Sequence, residues 1–445
     1  MGLSLVEAAI EGLAEGDHLR QQRYARNWRY YTNSPYQAGR GGLYAKMRGI
    51  FSQVTQVVDT DVRFGMGEKL QVMAEPEIES AINALWAGSD FQQEKYLLAR
   101  YGACCGDAFI KVVDNRQWEL NPEPDKESPV KLVALPPEAV TAAYHPHDRK
   151  RMLACKIEYV YGMNAGGRLG TDVHKEIWTN EEVLIYDSRN PRKVKGRYAN
   201  PHGFIPIVHI RNLDFGEEYG LCSFHHLLPT IDVLNEVGSF LLDIIKLYGD
   251  PVIIGRGMER GSLKKQTVDA HGRPVATVWW VPMPEGNFEL LEWKGNLPEI
   301  IEFINKVEES ARRATPELVL SGLPDRKDVS GYALSLHLSE LQKKIGEMRG
   351  NYFHGIEKAN RMALKMLEAQ GEGNFGDGKH TIVAEPILPA DDLTQLKVLQ
   401  IENQVLRIKS RETVAAERGI ENVEEELGRV DEEAADESAA LQNTF

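Results

Sequence analysis

The chain has 445 residues, which exceeds one ordinary hydrophobic core, so about two to four substructures are expected. It is 42% apolar with a formal net charge of −14, and it contains no run of about eighteen continuous apolar residues; this composition suits globular packing and argues against a membrane span. Cys104, Cys105, Cys155 and Cys222 form no CxxC pair and read as reduced thiols rather than a disulfide scaffold.

The opening stretch MGLSLVEAAIEGLAEG carries acids and lacks a basic segment ahead of an apolar run, so no secretory leader is expected. Gly2 fits myristoylation, but Val6 stands where that signal needs Ser or Thr. Residues 4–32 and 42–59 read as helices. Between His18 and Val58 there is no Asp or Glu, while Arg20, Arg23, Arg26, Arg29, Arg40, Lys46 and Arg48 alternate with Tyr24, Trp28, Tyr30 and Tyr31. Such a strip fits phosphate binding, although a basic subunit edge facing an acidic partner is the preferred reading. Asp59 and Asp61 read as an acidic turn at a helix end rather than a metal site.

KLQVMAE (69–75) reads as a strand, followed by two helices broken near Gly88 and a strand at 108–114. VKLVAL (130–135), MLACKIEYVY (152–161), HKEIWTN (174–180) and EVLIYDS (182–188) then suit an antiparallel β region. FIPIVHIRN (204–212) alternates and is interrupted by Pro206, which marks an edge strand. His145, His147 and Cys155 lack the short paired spacing of a zinc site, so HPHDRKR reads as an exposed turn. His225 and His226 near Cys222 read as capping and packing residues rather than a Cys-His catalytic pair.

The period then changes. Residues 224–250 place Leu227, Ile231, Leu234, Leu241, Ile245 and Tyr248 on one helical stripe, with Pro229 in the first turns. Residues 251–295 form a small β-rich insert, too small to bury much apolar surface alone. A second helix runs from about Pro298 to Ala314 with Ile300, Ile304, Val307 and Ala311 as its stripe. After the loop TPELVLSGLPDRK, a helix of about forty residues is expected, with Ser330 at its cap. Leu334, Leu338, Leu341, Ile345, Met348 and Tyr352 give it a heptad seam. Gly346, Gly350 and Gly355 each weaken a helix by up to about 1 kcal/mol and imply a bend or the close approach of another backbone. A strand is expected at 380–388 and a helical region from Asp391 or Asp392 onward. Residues 417–437 hold ten acids against Arg418 and Arg429, as in a solvated helix face or tail.

Phosphate loops, dinucleotide fingerprints, GxSxG and HExxH are all missing from the sequence, so no catalytic, cofactor-binding or metal-ligating residues are assigned.

The element order resembles that of the portal (head–tail connector) proteins of tailed bacteriophages. Four stretches carry the resemblance: YGACCGDAFIKVVD, NPHGFIPIVHIRNLDFGEEYGLCSFHHLLPTIDVLN, YGDPVIIGRG and DVSGYALSLHLSELQKKIGEMRGNYFHGI. It covers most of residues 20–370 and implies an α+β, ring-forming, portal-type fold. The implied parts are an α/β wing (1–222 and 331–384, the latter with the long kinked tunnel helix), stem helices (223–250 and 296–315), a β-rich clip (251–295), a tunnel loop (316–330) and a helical crown with an acidic tail (385–445).

The resemblance also implies a homo-oligomer of about twelve subunits at one capsid vertex of the virion, assembled in the host cytoplasm. Its implied partners are the terminase large subunit, the major capsid protein, head-completion or adaptor proteins, and double-stranded DNA passing non-specifically; no membrane and no cofactor are implied. Arg326, Lys327 and Asp328 would face DNA. Arg256, Arg260, Lys264 and Lys265 would face the terminase. Ser330 and Gly331 would start the tunnel helix, and Gly346, Gly350 and Gly355 would bend it. A DNA-processing enzyme and another ring or scaffold component of the capsid are the alternatives.

Overall fold

The computed structural model describes residues 17–34, 53–116, 128–163, 169–249, 253–256, 278–281, 287–290, 297–318 and 338–387. The described elements belong to one unit formed by residues 1–328 and 336–385. It opens with α1 (His18–Tyr31), α2 (Val54–Met66), β1 (Leu70–Met73), α3 (Pro76–Gly88) and α4 (Phe91–Cys105). Pro76 sits at the first turn of α3, where its missing N–H costs nothing. Gly106, at φ +97°, ends α4 and passes so close to Gly220 that a side chain at Gly106 would meet that backbone.

Two antiparallel sheets follow. β2 (Asp107–Asp114), β3 (Val130–Leu135) and β9 (Ile207–Arg211) form one, in the order β3-β2-β9. The other runs in sequence order through β4 (Val140–His145), β5 (Asp148–Met163), β6 (Leu169–Thr179), β7 (Glu182–Tyr186) and β8 (Val194–Ala199). β9 is an edge strand, as its proline-interrupted alternation predicts. The expected turn at HPHDRKR is the tight β4–β5 connection, with Asp148–Arg151 inside β5. β4 and β8 escape the sequence reading: VTAAYH is short, and VKGRYA is largely exposed, so it has no apolar face to betray it.

α5 (Leu228–Gly249) follows a short 3-10 turn at His225–Leu227, with Pro229 in its first turn. β10 (Ile253–Arg256), β11 (Val278–Val281) and β12 (Asn287–Leu290) make a three-stranded sheet with β10 in the middle. α6 (Leu297–Ala314) then packs on α5. α7 (Ser339–Ala369) is the long helix, and β13 (Thr381–Ala384) pairs antiparallel with β1.

α7 is shorter than the expected forty residues. Its 31 residues span about 46 Å at 1.5 Å per residue. Leu338, at φ −93° and ψ 1°, is its N-cap position, so the helix does not run unbroken from Ser330. Ser330 and Gly331 lie outside the described residues. The heptad seam holds from Leu338 onward: Leu341, Ile345, Met348, Tyr352 and Ile356 are buried, on a helix that packs against α2, α3 and the β3-β2-β9 sheet. α7 continues through all three glycines. Only Gly355 has another element against it, because a Cβ there would lie 2.4 Å from the Ile210 side chain on β9; Gly346 and Gly350 face open space.

Polar bonds lock α7 in place. Arg349 donates to the carbonyls of Phe64 (2.8 Å) and Gly65 (3.1 Å), placing a cation at the negative C-terminal end of α2. Trp86 Nε1 donates to Asn360 Oδ1 at 3.0 Å, joining α3 to α7.

Candidate functional site

α2 places Val54, Val57, Val58, Asp61 and Val62 on its buried face. Asp61 is thus an acid in an apolar stripe, fully enclosed, rather than part of a turn at a helix end; α2 continues past the expected end to Met66, and residues 42–52 of the expected helix lie outside the described residues. Just after α6, Glu317 is also fully buried. Lys344, in the second turn of α7, makes an ion pair with Glu317 and lies 3.5 Å from Asp61. Its ammonium also approaches the Ser223 carbonyl at 3.4 Å.

Glu317 and Lys344 flank the chain between 318 and 338, and Asp61 meets both from α2. Two buried carboxylates share one ammonium, which leaves a surplus negative charge in a low-dielectric site, a costly arrangement. Neither Asp61 oxygen, nor Glu317 Oε2, has a hydrogen-bond partner among the described residues. Protonation relieves the surplus. Burial pushes the Asp61 carboxyl up to about 8, with Lys344 opposing the rise and Glu317 adding to it. Burial pulls the Lys344 ammonium down, but the two acids outweigh it and hold it above the ordinary lysine range. His226 closes one side, its Nε2 3.1 Å from Thr315 Oγ1. At neutral pH the cluster therefore holds a proton and is close to electrically neutral.

The second feature is apolar exposure on α5 and α6. Ile304 and Ala311 of the predicted α6 stripe are buried, yet Ile301 and Phe303 are each 48% exposed. On α5, Ile231 and Leu234 are buried, but Ile245, expected on the buried stripe, is 51% exposed, and Ile244 takes the inward position.

Two arginines of the strip, Arg20 and Arg23, are turned into the fold. Arg20 is buried, ion-paired to Asp17, donating to the Pro137 and Val140 carbonyls and stacked 4.3 Å over the Tyr219 ring. Arg23 lies 3.8 Å from Asp107 and donates to the Gly220 carbonyl. Neither is free for phosphate; Arg26 and Arg29 remain exposed, and Arg40, Lys46 and Arg48 lie outside the described residues. Cys222 is buried, which pushes its thiol up to about 11 and away from the thiolate a nucleophile needs. Of the basic residues expected in the insert, Arg256 ends β10 opposite Val281 and Asn287. Arg260, Lys264, Lys265, Arg326, Lys327 and Asp328 lie outside the described residues.

A family model described as Phage portal protein, SPP1 Gp6-like, matches residues 12–440. The chain belongs to this portal family. The family is a structural one, in line with a chain whose sequence offers no catalytic motif. Two solved structures are similar to this portal protein. One, the neck of an empty GTA particle computed with C6 symmetry, has 13% identity and a TM-score of 0.47, and the match covers 87% of this chain and 95% of that one. The other, the neck of a native GTA particle computed with C12 symmetry, has 12% identity and a TM-score of 0.44, covering 81% and 87%. No curated protein matches the chain.

Proposed function

We propose that this portal protein closes into a ring of about twelve copies at one capsid vertex and forms the channel through which double-stranded DNA is packaged and later ejected. The observation that carries the reading is the apolar surface left open on α5 and α6. Among the described residues Ile245, Ile301 and Phe303 each stay about half exposed, as expected of stem helices that complete their burial against sibling copies.

The remaining parts follow the same plan. The wing takes 1–222 and 331–384, the stem α5 and α6, the clip 251–295, and the crown 385–445. The clip would meet the terminase through Arg256, Arg260, Lys264 and Lys265, and head-completion proteins later. Residues 316–330 form the tunnel loop, with Arg326, Lys327 and Asp328 toward DNA. The Asp61–Lys344–Glu317 cluster then anchors both ends of that loop to the wing. A net charge of −14 per copy suits a bore that must not grip a polyanion carrying one charge per roughly 1.7 Å.

Purified protein imaged end-on by negative-stain electron microscopy is expected to show annuli with a central hole and about twelve subunits. Uniformly monomeric particles across micromolar concentrations would sink the proposal.

A further inference from the structure

α6 is weakly held along its length and tightly held just past its end. Of its 18 residues, Ile304 and Ala311 are buried, and its packing is chiefly on α5. Residues 315–318 behave differently: Thr315, Glu317 and Leu318 are enclosed, and Pro316 is partly buried. They seat against several other parts of the fold. Thr315 Oγ1 meets His226 Nε2 at 3.1 Å, in the turn before α5. Glu317 pairs with Lys344 of α7, and its carbonyl lies 3.5 Å from Gln56 Nε2 of α2.

The seat is built around a charge that does not balance. Asp61 of α2 and Glu317 are both enclosed, and among the described residues Lys344 is the cation that pairs with them. The other groups facing the pair add no positive charge at neutral pH. Ser223, beside Asp61, is uncharged. Burial and Lys344 pull the His226 imidazole below its ordinary value against the pull of Glu317, and His225 next to it is exposed. Burial and Asp61 push the Tyr352 phenol well above its ordinary value, so it stays neutral. The closed arrangement is therefore neutral only with one proton on the two acids.

Lifting residues 315–318 out removes that requirement. Asp61 then pairs with Lys344 alone, one charge against one, and Glu317 is solvated by water, where a carboxyl ionises near about pH 4. Opening thus releases one proton. The closed state binds the proton more tightly than the open state, so closure is favoured at low pH and weakens as pH rises, until the closed state itself gives the proton up. Burial sets that point for Asp61 at about 8, with Lys344 opposing and Glu317 adding.

We infer that Thr315–Leu318 is a proton-held latch, seated on α2 and α7 while the Asp61–Glu317 pair shares a proton and released as that proton leaves. The latch sets how firmly α6 is tethered to the rest of the fold. In the ring reading above α6 is a stem helix, so the latch tunes the coupling of stem to wing; that consequence rests on the ring reading, and the latch itself does not.

Hydrogen exchange of the full-length protein, read by mass spectrometry on peptides covering 312–318, tests it. The bond from Leu318 N–H to the Thr315 carbonyl, 3.0 Å long, reports the closed state. After correction for the intrinsic pH dependence of exchange, the opening constant is expected to rise about tenfold per pH unit between about pH 6.5 and 8 and to level off above. Below that window the His226 imidazole works in the opposite sense. Exchange at 312–318 should stay faster than in α3, marking a local opening rather than global unfolding. Asp61→Asn needs no proton, and Glu317→Gln leaves only the Asp61–Lys344 pair, so each should remove the slope. A native opening constant that ignores pH, a slope kept by both variants, or exchange at 312–318 no faster than in α3 would overturn the latch. Where a variant fails to fold, the native slope and its plateau decide alone. Absence of rings in electron microscopy would remove the stem-to-wing consequence and leave the latch standing, since every group in it belongs to one chain.

Discussion

Asp61 shows how one residue connects charge to architecture. Its carboxyl ordinarily titrates near 3.8 and is pushed up to about 8 when buried beside Glu317. A folded-state value above the unfolded one means that the folded protein binds the proton more tightly. The associated stabilisation is complete at low pH and is lost as pH rises through the folded value. The depressed imidazoles of His202, His209, His226 and His380 act in the opposite direction, but below about pH 6.5. The Lys95 ammonium, pulled down to about 8 by burial, titrates in the same window with the opposite sign, so the Asp61 contribution is read between pH 7 and about 8.5 as the difference between the native protein and Asp61→Asn. Asp61→Asn mimics the protonated acid, so the native melting temperature should fall relative to that of the variant as pH rises. Thermal melts of both proteins check it, and parallel slopes would refute the assignment. The sequence displayed the sign of this site without its meaning. An acid spaced i+3 and i+4 from Val58 and Val57 sits on an apolar face, but the two partners that make it tolerable lie about 250 residues or more away in sequence.

At the scale of elements, the three glycines of α7 separate into two kinds. Gly355 is where α7 touches β9, and a methyl there would sit 2.4–2.5 Å from Ile210 side-chain atoms. Gly355→Ala must push helix and strand apart and should destabilise by about 1–3 kcal/mol in guanidinium unfolding. Gly346 faces open space, so Gly346→Ala meets no obstacle and should stabilise by up to about 1 kcal/mol through helix propensity alone. Equal effects at the two sites would contradict this packing. The sequence predicted most elements wherever one face is buried, because burial imposes the alternation of 2 or 3.6 that can be read: β1, β2, β3, β9, α3, α4 and α6 fall close to their expected positions. It failed where burial is decided by distant partners. Arg20 looks like surface charge beside Arg23 and Arg26, yet Asp17, Tyr219 and two carbonyls draw it inside. The start of α7 at Ser339 was equally hidden, since Ser330-Gly331 offers an attractive cap nine residues earlier.

For the whole molecule, the decisive quantity is apolar surface that one copy cannot cover. Ile301 and Phe303 flank the buried Ile304–Ala311 stripe of α6 on opposite sides, and each is about half exposed. Fully burying a large apolar side chain is worth about 1.5–3 kcal/mol, so two that are already half buried would together add about 1.5–3 kcal/mol to the proposed subunit contact. That gain is present only in the assembly. Ile301→Asp with Phe303→Asp should consequently leave monomer stability within about 0.5 kcal/mol, as expected of exposed positions. The same pair should shift the protein from rings to monomers, because a carboxylate trapped in an apolar contact loses its hydration without a partner. Native mass spectrometry or light scattering reads the assembly, and urea unfolding of the monomer reads the fold. Rings persisting with unchanged dissociation would show that α6 does not bear the subunit contact. A simultaneous loss of rings and of monomer stability would instead place Ile301 and Phe303 in the fold's own core, against their exposure here.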